Sequence, residues 1–400
     1  MTYTFSNKIA NLNPSAIREI LKYTADPSVI PFAAGNPAPE AFPVAAFQRI
    51  AAEILRDRPT AALQYSVTEG YPALRTRMKG YMAEKHSSFR EGADELIVTA
   101  GAQQVMGLAA RVLCNEGDAV VCEAPSFIGS LNSFRSLGAR LIGVPVESDG
   151  MDIAALEQAL QANPDARFIY TIPNFQNPSG LTMSAEKRRA VYELARKYRV
   201  MILEDNPYGD LRYRGEHIPT IKSLDTDGLV IYAGSFSKVL SPGLRVGYAI
   251  GPQPVIQKMV VAKQGEDVHT NIFAQILCDE FIAGCDFEAH LDSLRALYTR
   301  KAKLAQQLLE THLTPAGIRF NPIQGGLFIW CTLPDGVGMT EFCTAAVRDH
   351  KVAVVPGNAF LVDEALPCNS FRINFSTPTD EQLEIGMERL GRFAATTCTM

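Results

Sequence analysis

From about residue 94 onward, short apolar runs alternate with longer segments whose apolar residues have helical spacing. The apolar runs that read as buried strands are 95–100, 119–124, 139–146, 167–172, 200–205 and 229–235. Strands that are continuously apolar and separated by helices are typical of a sheet covered on both faces. The pattern therefore predicts an α/β fold with a mostly parallel central sheet flanked by helices.

The rhythm changes in the C-terminal part of the chain. Residues 253–310 are mostly helical in pattern, with a long helix predicted from about Asp286 to Leu309. Strand-like runs follow at 325–333, 351–357 and 370–376, and a final helix is predicted from Asp380. This predicts a smaller α+β domain built from both chain ends. The expected units are an N-terminal arm with part of the small domain (1–44), a large domain (45–285) and a C-terminal small domain (286–400).

Composition narrows the function classes and the compartment. The 400 residues are 47% hydrophobic, enough for a large core, and the net charge of −5 offers no basic stripe for nucleic acid or membrane lipid. We therefore expect neither a nucleic-acid nor a membrane partner. The eight cysteines form no C-x-x-C pair, and no His/Cys cluster has zinc spacing, so no metal site is predicted. With no signal-peptide pattern at the N-terminus, this cysteine usage favours the cytoplasm.

Unusual polar residues follow two of the predicted strands. Asp205 ends the run 200–205, where a lone buried carboxylate would need a cationic partner. The run 229–235 leads into Lys238, which is flanked by Ser235 and Ser237 and followed by Arg245. Ligands bind at the carboxyl ends of strands in such sheets. Hydroxyls and a guanidinium suit a phosphate, and a lysine of lowered pKa can form an imine with an aldehyde.

A glycine turn adds a third element. The run 95–100 passes through Gly101, Ala102 and Gln103 directly into a predicted helix. Backbone N–H groups at a helix N-terminus form a ready phosphate site. Taken alone, the glycine is equally well explained as a tight turn.

Three motifs together resemble a known family. The segment 235–247 reads S-x-S-K-x-x-x-P-G-x-R-x-G, 177–180 reads N-P-x-G, and 205–208 reads D-x-x-Y. This combination is similar to the cofactor motifs of the fold-type I aminotransferases of class I/II, which use pyridoxal 5'-phosphate (PLP). The segments IREIL, FAAGNPAPEAFP and LQYSVTEGYPALR resemble the subgroup of 2-aminoadipate, kynurenine and broad-range aromatic aminotransferases. The resemblance extends over nearly the whole chain and implies that the large domain binds PLP.

The resemblance implies a role for each motif residue. Lys238 would hold PLP covalently and later shuttle a proton, and Asp205 would pair with the pyridine nitrogen. Asn177 and Tyr208 would bond the ring oxygen, and Phe127 would stack on the ring in place of the tyrosine of many members. The phosphate contacts would come from Ser235, Ser237 and Arg245, and from the turn formed by Gly101, Ala102 and Gln103.

Substrate binding is implied in the same way. Arg372 matches the arginine that clamps the substrate α-carboxylate, with Asn177 and the Gly35 backbone nearby. Arg372 also lies in an apolar strand, so a structural ion pair is the alternative reading. Tyr65 matches a tyrosine that reaches the phosphate from the partner subunit, which implies a homodimer. Arg18 matches a mobile segment that contacts substrate side chains, although an arginine on an amphipathic helix is ordinarily a solvated residue.

The expected activity is a ping-pong amino transfer in which PLP alternates with pyridoxamine phosphate. The substrates would be an aromatic, aliphatic or 2-aminoadipate-like L-amino acid and a 2-oxo acid, with 2-oxoglutarate as the acceptor. Two alternatives stay open at this point. One is a C–S lyase or decarboxylase on the same fold, since fold does not fix function. The other is a PLP-binding regulatory domain, which would need a DNA-binding partner domain.

Overall fold

The computed structural model describes residues 3–10 and 26–398. The strands are β1 (Asp94–Thr99), β2 (Ala119–Ala124), β3 (Arg140–Glu147), β4 (Gly150–Met151), β5 (Ala166–Thr171), β6 (Met201–Asp205), β7 (Val230–Ser235), β8 (Gly247–Pro252), β9 (Arg319–Phe320), β10 (Phe328–Thr332), β11 (Val355–Pro356) and β12 (Ser370–Asn374). The helices are α1 (Asn7–Ala10), α2 (Val44–Asp57), α3 (Pro59–Leu63), α4 (Pro72–His86), α5 (Ala102–Leu113), α6 (Ile128–Ser136), α7 (Ile153–Ala162), α8 (Ala185–Tyr198), α9 (Gln253–Gln264), α10 (Ile272–Gly284), α11 (Phe287–His312), α12 (Met339–Arg348) and α13 (Asp380–Thr397).

The large sheet has the strand order β1-β8-β7-β6-β5-β2-β3-β4. Neighbouring strands from β7 through β3 in this order run parallel, whereas β8 is antiparallel to both β1 and β7. The predicted α/β fold with a mostly parallel sheet is therefore confirmed. The strand β8 was not predicted, because its short apolar run lies between glycines directly after the lysine motif.

The sheet register brings the chemistry-bearing residues to one edge. Asp205 at the end of β6 is paired with Ala233 of β7, and Ser235 at the end of β7 is paired with Gly247 of β8. The side chains of successive strand residues point to opposite faces. Because β5, β6 and β7 run parallel, their carboxyl ends open on the same side of the sheet.

A second, antiparallel sheet has the order β11-β12-β10-β9 and packs in its own hydrophobic cluster. Ile30 and Phe32 belong to that cluster together with residues of α13, and Ile30 bridges to Val352. The predicted strand at 351–357 is shorter than expected, since only Val352 forms this bridge and only Val355–Pro356 pairs with β12. Helix α11 contributes to both cores, and the domain boundaries at 44/45 and 285/286 stay predictions.

Within the described part of the chain, no helix is both long and apolar enough to cross a bilayer. Among the same residues, no three His, Cys, Asp or Glu side chains come together as a metal site. The eight cysteines are all free thiols.

Candidate active site

Lys238 lies in the turn that follows β7 and lines a cavity of about 390 Å³. Its Nζ donates a hydrogen bond to the carbonyl oxygen of Gly35 at 2.7 Å. Burial, followed by the positive charges of Arg372 and Arg245, lowers the pKa of Lys238 to about 8. A lysine with this pKa is roughly one-tenth neutral at pH 7, far more than an ordinary lysine, so it can attack an aldehyde.

Asp205 faces Lys238's cavity from the end of β6 and is itself buried. Its Oδ2 accepts a hydrogen bond from the Tyr170 hydroxyl at 2.8 Å, while its Oδ1 has no hydrogen-bond partner among the described residues. Burial raises the pKa of Asp205 to about 7, and the bond from Tyr170 opposes that rise. A cationic N–H donor in the cavity would satisfy Oδ1 and hold the carboxylate ionised.

Arg372 is the most deeply buried arginine of the cavity wall, with 2% of its surface exposed. Its guanidinium donates to Asn177 Oδ1 at 2.7 Å and to the Ala33 carbonyl oxygen at 2.8 Å, and it lies over the rings of Phe328 and Phe360. Burial lowers the pKa of Arg372 to about 10, so the group stays cationic at neutral pH. Its Nε has no partner among the residues that the structure describes. The alternative reading, a structural ion pair, finds no carboxylate partner for Arg372 among the described residues, since both acceptors are neutral oxygens.

Tyr208 completes this side of the cavity. Burial and the charge of Asp205 raise the pKa of Tyr208, and a hydrogen bond with Asn177 partly opposes the rise. The hydroxyl therefore keeps its proton at neutral pH and can donate to an oxygen in the cavity.

Arg245, which also lines the cavity, packs against a cradle formed by Gly101 and Gly247. Arg245 adopts a left-handed backbone conformation and donates from its guanidinium to the Ala100 carbonyl oxygen at 2.9 Å. A Cβ on Gly101 would lie 2.5 Å from that guanidinium, and a Cβ on Gly247 would lie 2.7 Å from the Gly101 backbone. Only glycine permits this close approach, which argues against the simple tight-turn reading of Gly101.

The start of α5 and the turn after β7 lie beside this cradle. Ala102 and Gln103, the first residues of α5, line the cavity with Ser235 and Ser237. Helix N-terminal N–H groups, two hydroxyls and a guanidinium converge here, a combination that suits a phosphate.

Phe127 precedes α6 and forms an aromatic wall of the cavity. A Cβ on Gly129 would lie 2.6 Å from its ring, so the glycine leaves room for the ring. The Gln103 side chain donates to the Gly129 carbonyl oxygen at 2.8 Å and fixes this turn.

Most of the predicted site residues therefore meet at one cavity. Those that line it are Gly35, Ala102, Gln103, Phe127, Asn177, Asp205, Tyr208, Ser235, Ser237, Lys238, Arg245 and Arg372. Gly101 supports Arg245 from behind without lining the cavity. Tyr65 is 81% exposed and its ring contacts His269 at the surface. Arg18 lies outside the described residues.

The prediction missed several residues of the wall: Asn36, Met106, Ser130, Ile172, Pro207 and Phe328. Asn36 and Pro207 lie inside motifs that were recognised, so the signal for them was present. Phe328 packs in the core and also lines the cavity. The sequence contains no signal for the buried Tyr170, because its hydroxyl meets Asp205 only after the two strands pair in the sheet.

The family profile described as "Aminotransferase class I and II" matches residues 27–390. The chain belongs to this aminotransferase family. The aminotransferase is 37% identical to aromatic-amino-acid aminotransferase 1 of Thermococcus litoralis, over 96% of this chain and 93% of the relative. Among solved structures, it is similar to the kynurenine aminotransferase of Pyrococcus horikoshii in complex with PMP, with 35% identity, a TM-score of 0.93, and coverage of 98% and 97% of the two chains.

A second solved structure is the α-aminoadipate aminotransferase of Thermus thermophilus, complexed with N-(5'-phosphopyridoxyl)-L-leucine. It is 35% identical, with a TM-score of 0.90 and coverage of 99% of this chain and 98% of that chain. The chain is therefore a PLP-dependent aminotransferase of fold type I, as the sequence motifs predicted.

The geometry of this aminotransferase fits PLP on three independent points. The unsatisfied Oδ1 of Asp205 suits a protonated ring nitrogen, the lowered pKa of Lys238 suits an aldehyde, and the glycine cradle with Arg245 suits a phosphate. When bound, PLP supplies an aldehyde that receives the amino group and a ring that withdraws electrons from the reacting carbon.

Proposed function

We propose that the aminotransferase moves the amino group of an aromatic, aliphatic or 2-aminoadipate-like L-amino acid to a 2-oxo acid, with 2-oxoglutarate as the acceptor. The observation that carries this proposal is the buried Arg372, which shares one cavity with Lys238 and Asp205 and keeps an unpaired Nε. A buried cation without a carboxylate partner is costly. The α-carboxylate of an amino acid or oxo acid would supply that partner.

The site residues divide into three tasks in this proposal. Arg372 and Asn177 hold the α-carboxylate, which orients the Cα–H bond of the substrate toward Lys238. Lys238 would accept the Cα proton of the substrate and give it up again, a task that its lowered pKa favours near neutral pH. Asp205 keeps the ring nitrogen protonated. Asn177 and Tyr208 bond the ring oxygen, and the cradle around Arg245 holds the phosphate.

The substrate class rests on the cavity wall and on the relatives. Phe328, Ile172 and Met106 give the wall an apolar surface that accepts aromatic and aliphatic side chains. The relatives act on aromatic amino acids, kynurenine and 2-aminoadipate, according to their names. We include Arg18 as a contact for the distal end of the substrate.

We also propose a homodimer that works in the cytoplasm. Tyr65, Leu63, Val67 and Val268 are exposed apolar side chains, and Tyr65 contacts His269, the neighbour of Val268. Val268 has a φ of 62°, which is unfavourable for a β-branched residue and is the kind of strain found at interaction sites. In the dimer, Tyr65 would reach the phosphate of the partner subunit. The free cysteines favour a reducing compartment.

The test of the proposed function is the absorption spectrum of the purified holoenzyme while single amino acids are added without any 2-oxo acid. We expect the visible band of lysine-bound PLP to disappear as one equivalent of 2-oxo acid forms, fastest with the preferred donor. Added 2-oxoglutarate should restore the band. Arg372→Ala should require a much higher amino-acid concentration for the same change.

Other outcomes identify the rival reactions. Catalytic release of ammonia with a persistent band would indicate a lyase, and release of carbon dioxide would indicate a decarboxylase. If another 2-oxo acid restores the band and 2-oxoglutarate does not, the amino transfer stands and only the proposed acceptor is wrong.

A further inference from the structure

Behind the cavity, a chain of three hydroxyl and carboxyl groups ends at Asp205. Tyr170 on β5 is completely buried, and its hydroxyl lies 2.8 Å from Asp205 Oδ2 and 2.8 Å from the Ser130 hydroxyl. Ser130 on α6 is also buried and reaches the cavity wall. The Tyr170 ring packs edge-on against Phe134, with the ring centroids 5.3 Å apart. The position of the phenol is therefore set by packing and not by the hydrogen bonds alone.

With Asp205 ionised, only one orientation of the hydrogen bonds among Ser130, Tyr170 and Asp205 satisfies all three groups. A phenol has one proton, and an ionised carboxylate has none to donate. Tyr170 therefore donates to Asp205, and its oxygen accepts from Ser130. The pKa of Tyr170 lies well above its ordinary value, mainly because of burial, so the phenol keeps its proton.

This arrangement acts on the two oxygens of Asp205 differently. Oδ2 is occupied by Tyr170, whereas Oδ1 is left without a partner among the described residues. Asp205 is thereby held with one specific oxygen available to a ligand in the cavity. A hydrogen bond donated to a carboxylate stabilises its charged form. Tyr170 consequently makes Asp205 a weaker base toward any proton that it shares with a ligand.

We propose that Tyr170, supported by Ser130, is a positioning residue that orients Asp205 and keeps the shared proton on the ring nitrogen of PLP. This inference rests on the proposed pairing of Asp205 with that nitrogen. Without the Tyr170 hydroxyl, Asp205 becomes more basic and the proton moves toward the carboxylate. The cofactor ring then withdraws electrons less strongly from the reacting carbon.

The test is the ¹⁵N chemical shift of ¹⁵N-labelled PLP bound to the holoenzyme, compared with Tyr170→Phe. Phenylalanine keeps the ring packed against Phe134 and removes only the hydroxyl. We expect the signal to move toward that of an unprotonated pyridine. A hydrogen bond to a charged group contributes a factor of roughly ten or more, so kcat should fall about tenfold with little change in KM for the amino acid.

Tyr192→Phe is the matched control, because the Tyr192 hydroxyl is likewise buried and lies 3.4 Å from Asp225, away from the cavity. It should leave the ¹⁵N shift unchanged. If Tyr170→Phe does not fold, Ser130→Ala should move the shift in the same direction by a smaller amount. An unchanged shift in the folded Tyr170→Phe, or otherwise in Ser130→Ala, would overturn the proposal.

Asp205→Ala separates failure of this inference from failure of the proposed function. A shift that changes in Asp205→Ala but not in Tyr170→Phe overturns only the role of Tyr170. A shift that changes in neither variant means that the ring nitrogen has a different partner, which overturns both.

Discussion

Strand β6 carries two adjacent carboxylates that face opposite sides of the sheet and have opposite surroundings. Glu204 accepts two backbone hydrogen bonds, from Ile221 at 2.9 Å and from Lys222 at 2.8 Å, one to each carboxylate oxygen. Asp205 accepts one, from Tyr170, and its second oxygen has no partner in the part of the chain that the structure describes. Both side chains are buried.

The lysines on the two sides differ in the same way. Lys222 is 2% exposed, and its Nζ donates to Asp94 and Asp225 at 2.8 Å each and to the Val230 carbonyl oxygen at 3.1 Å. Lys238 donates to the Gly35 carbonyl oxygen, and the charged groups that affect its pKa are two arginines, Arg372 and Arg245. The side with Glu204 and Lys222 is compensated by the protein itself. On the cavity side, Asp205 Oδ1 and Arg372 Nε have no partner among the described residues, and the proposed cofactor and substrate would supply one.

The largest expected difference between the two lysines is in catalysis. Lys238→Ala should lower the rate of amino transfer by at least about 10⁴-fold, since it removes both the covalent attachment and the proton carrier. The free energy of unfolding of the cofactor-free protein should stay the same or rise, because the variant removes a poorly compensated buried amine. Single-turnover kinetics and urea unfolding measure the two effects. Near-normal turnover would contradict the assignment of Lys238.

Lys222→Ala should show the reverse pattern. Removing Lys222 takes away the buried ammonium between Asp94 and Asp225 and leaves them only the half-buried Arg90, at 3.4 and 3.8 Å. Breaking a buried ion cluster in this way typically costs about 3–5 kcal/mol of unfolding free energy. The activity per folded molecule should be retained. Urea unfolding of the cofactor-free protein measures the loss.

Lys85→Ala is the control for this second prediction, because Lys85 pairs with Glu288 at 3.3 Å at the surface. Its expected loss is below about 1 kcal/mol. Equal losses in the two variants would mean that the Lys222 cluster has no special structural importance.

The smallest effect is a pH dependence. Because the pKa of Lys238 is lowered to about 8, the neutral amine accumulates as the pH rises toward that value. The rate at which PLP attaches to the cofactor-free protein should rise about tenfold per pH unit below this pKa and level off above it. Stopped-flow absorbance of the visible band measures this rate.

The charge of Arg372 is one cause of the lowered pKa of Lys238, so Arg372→Leu should move the plateau of this profile to higher pH. A rate that keeps rising to the ordinary lysine pKa in the unmodified protein would show that the cavity does not perturb Lys238.

The sequence alone determined the local elements and the motif residues. The apolar run 200–205 and the observed strand Met201–Asp205 differ by one residue. Lys238 and Asp205 could be predicted because each lies within a few residues of a strand end. Strand length, turn chemistry and short motifs depend on neighbours in the chain, which the sequence displays directly.

Only the tertiary structure decided which polar groups have partners. Tyr170 and Asp205 are separated by 35 positions, and Arg372 and Asn177 by 195, and neither pairing follows from local spacing. The antiparallel insertion of β8 between β1 and β7 likewise depends on pairing between distant segments. Whether a buried charge is compensated depends on side chains that meet only after folding, because burial and hydrogen bonding are properties of the packed molecule. For that reason the sequence predicted Lys238 and Asp205 as site residues, while the fold showed how their surroundings differ from those of Lys222 and Glu204.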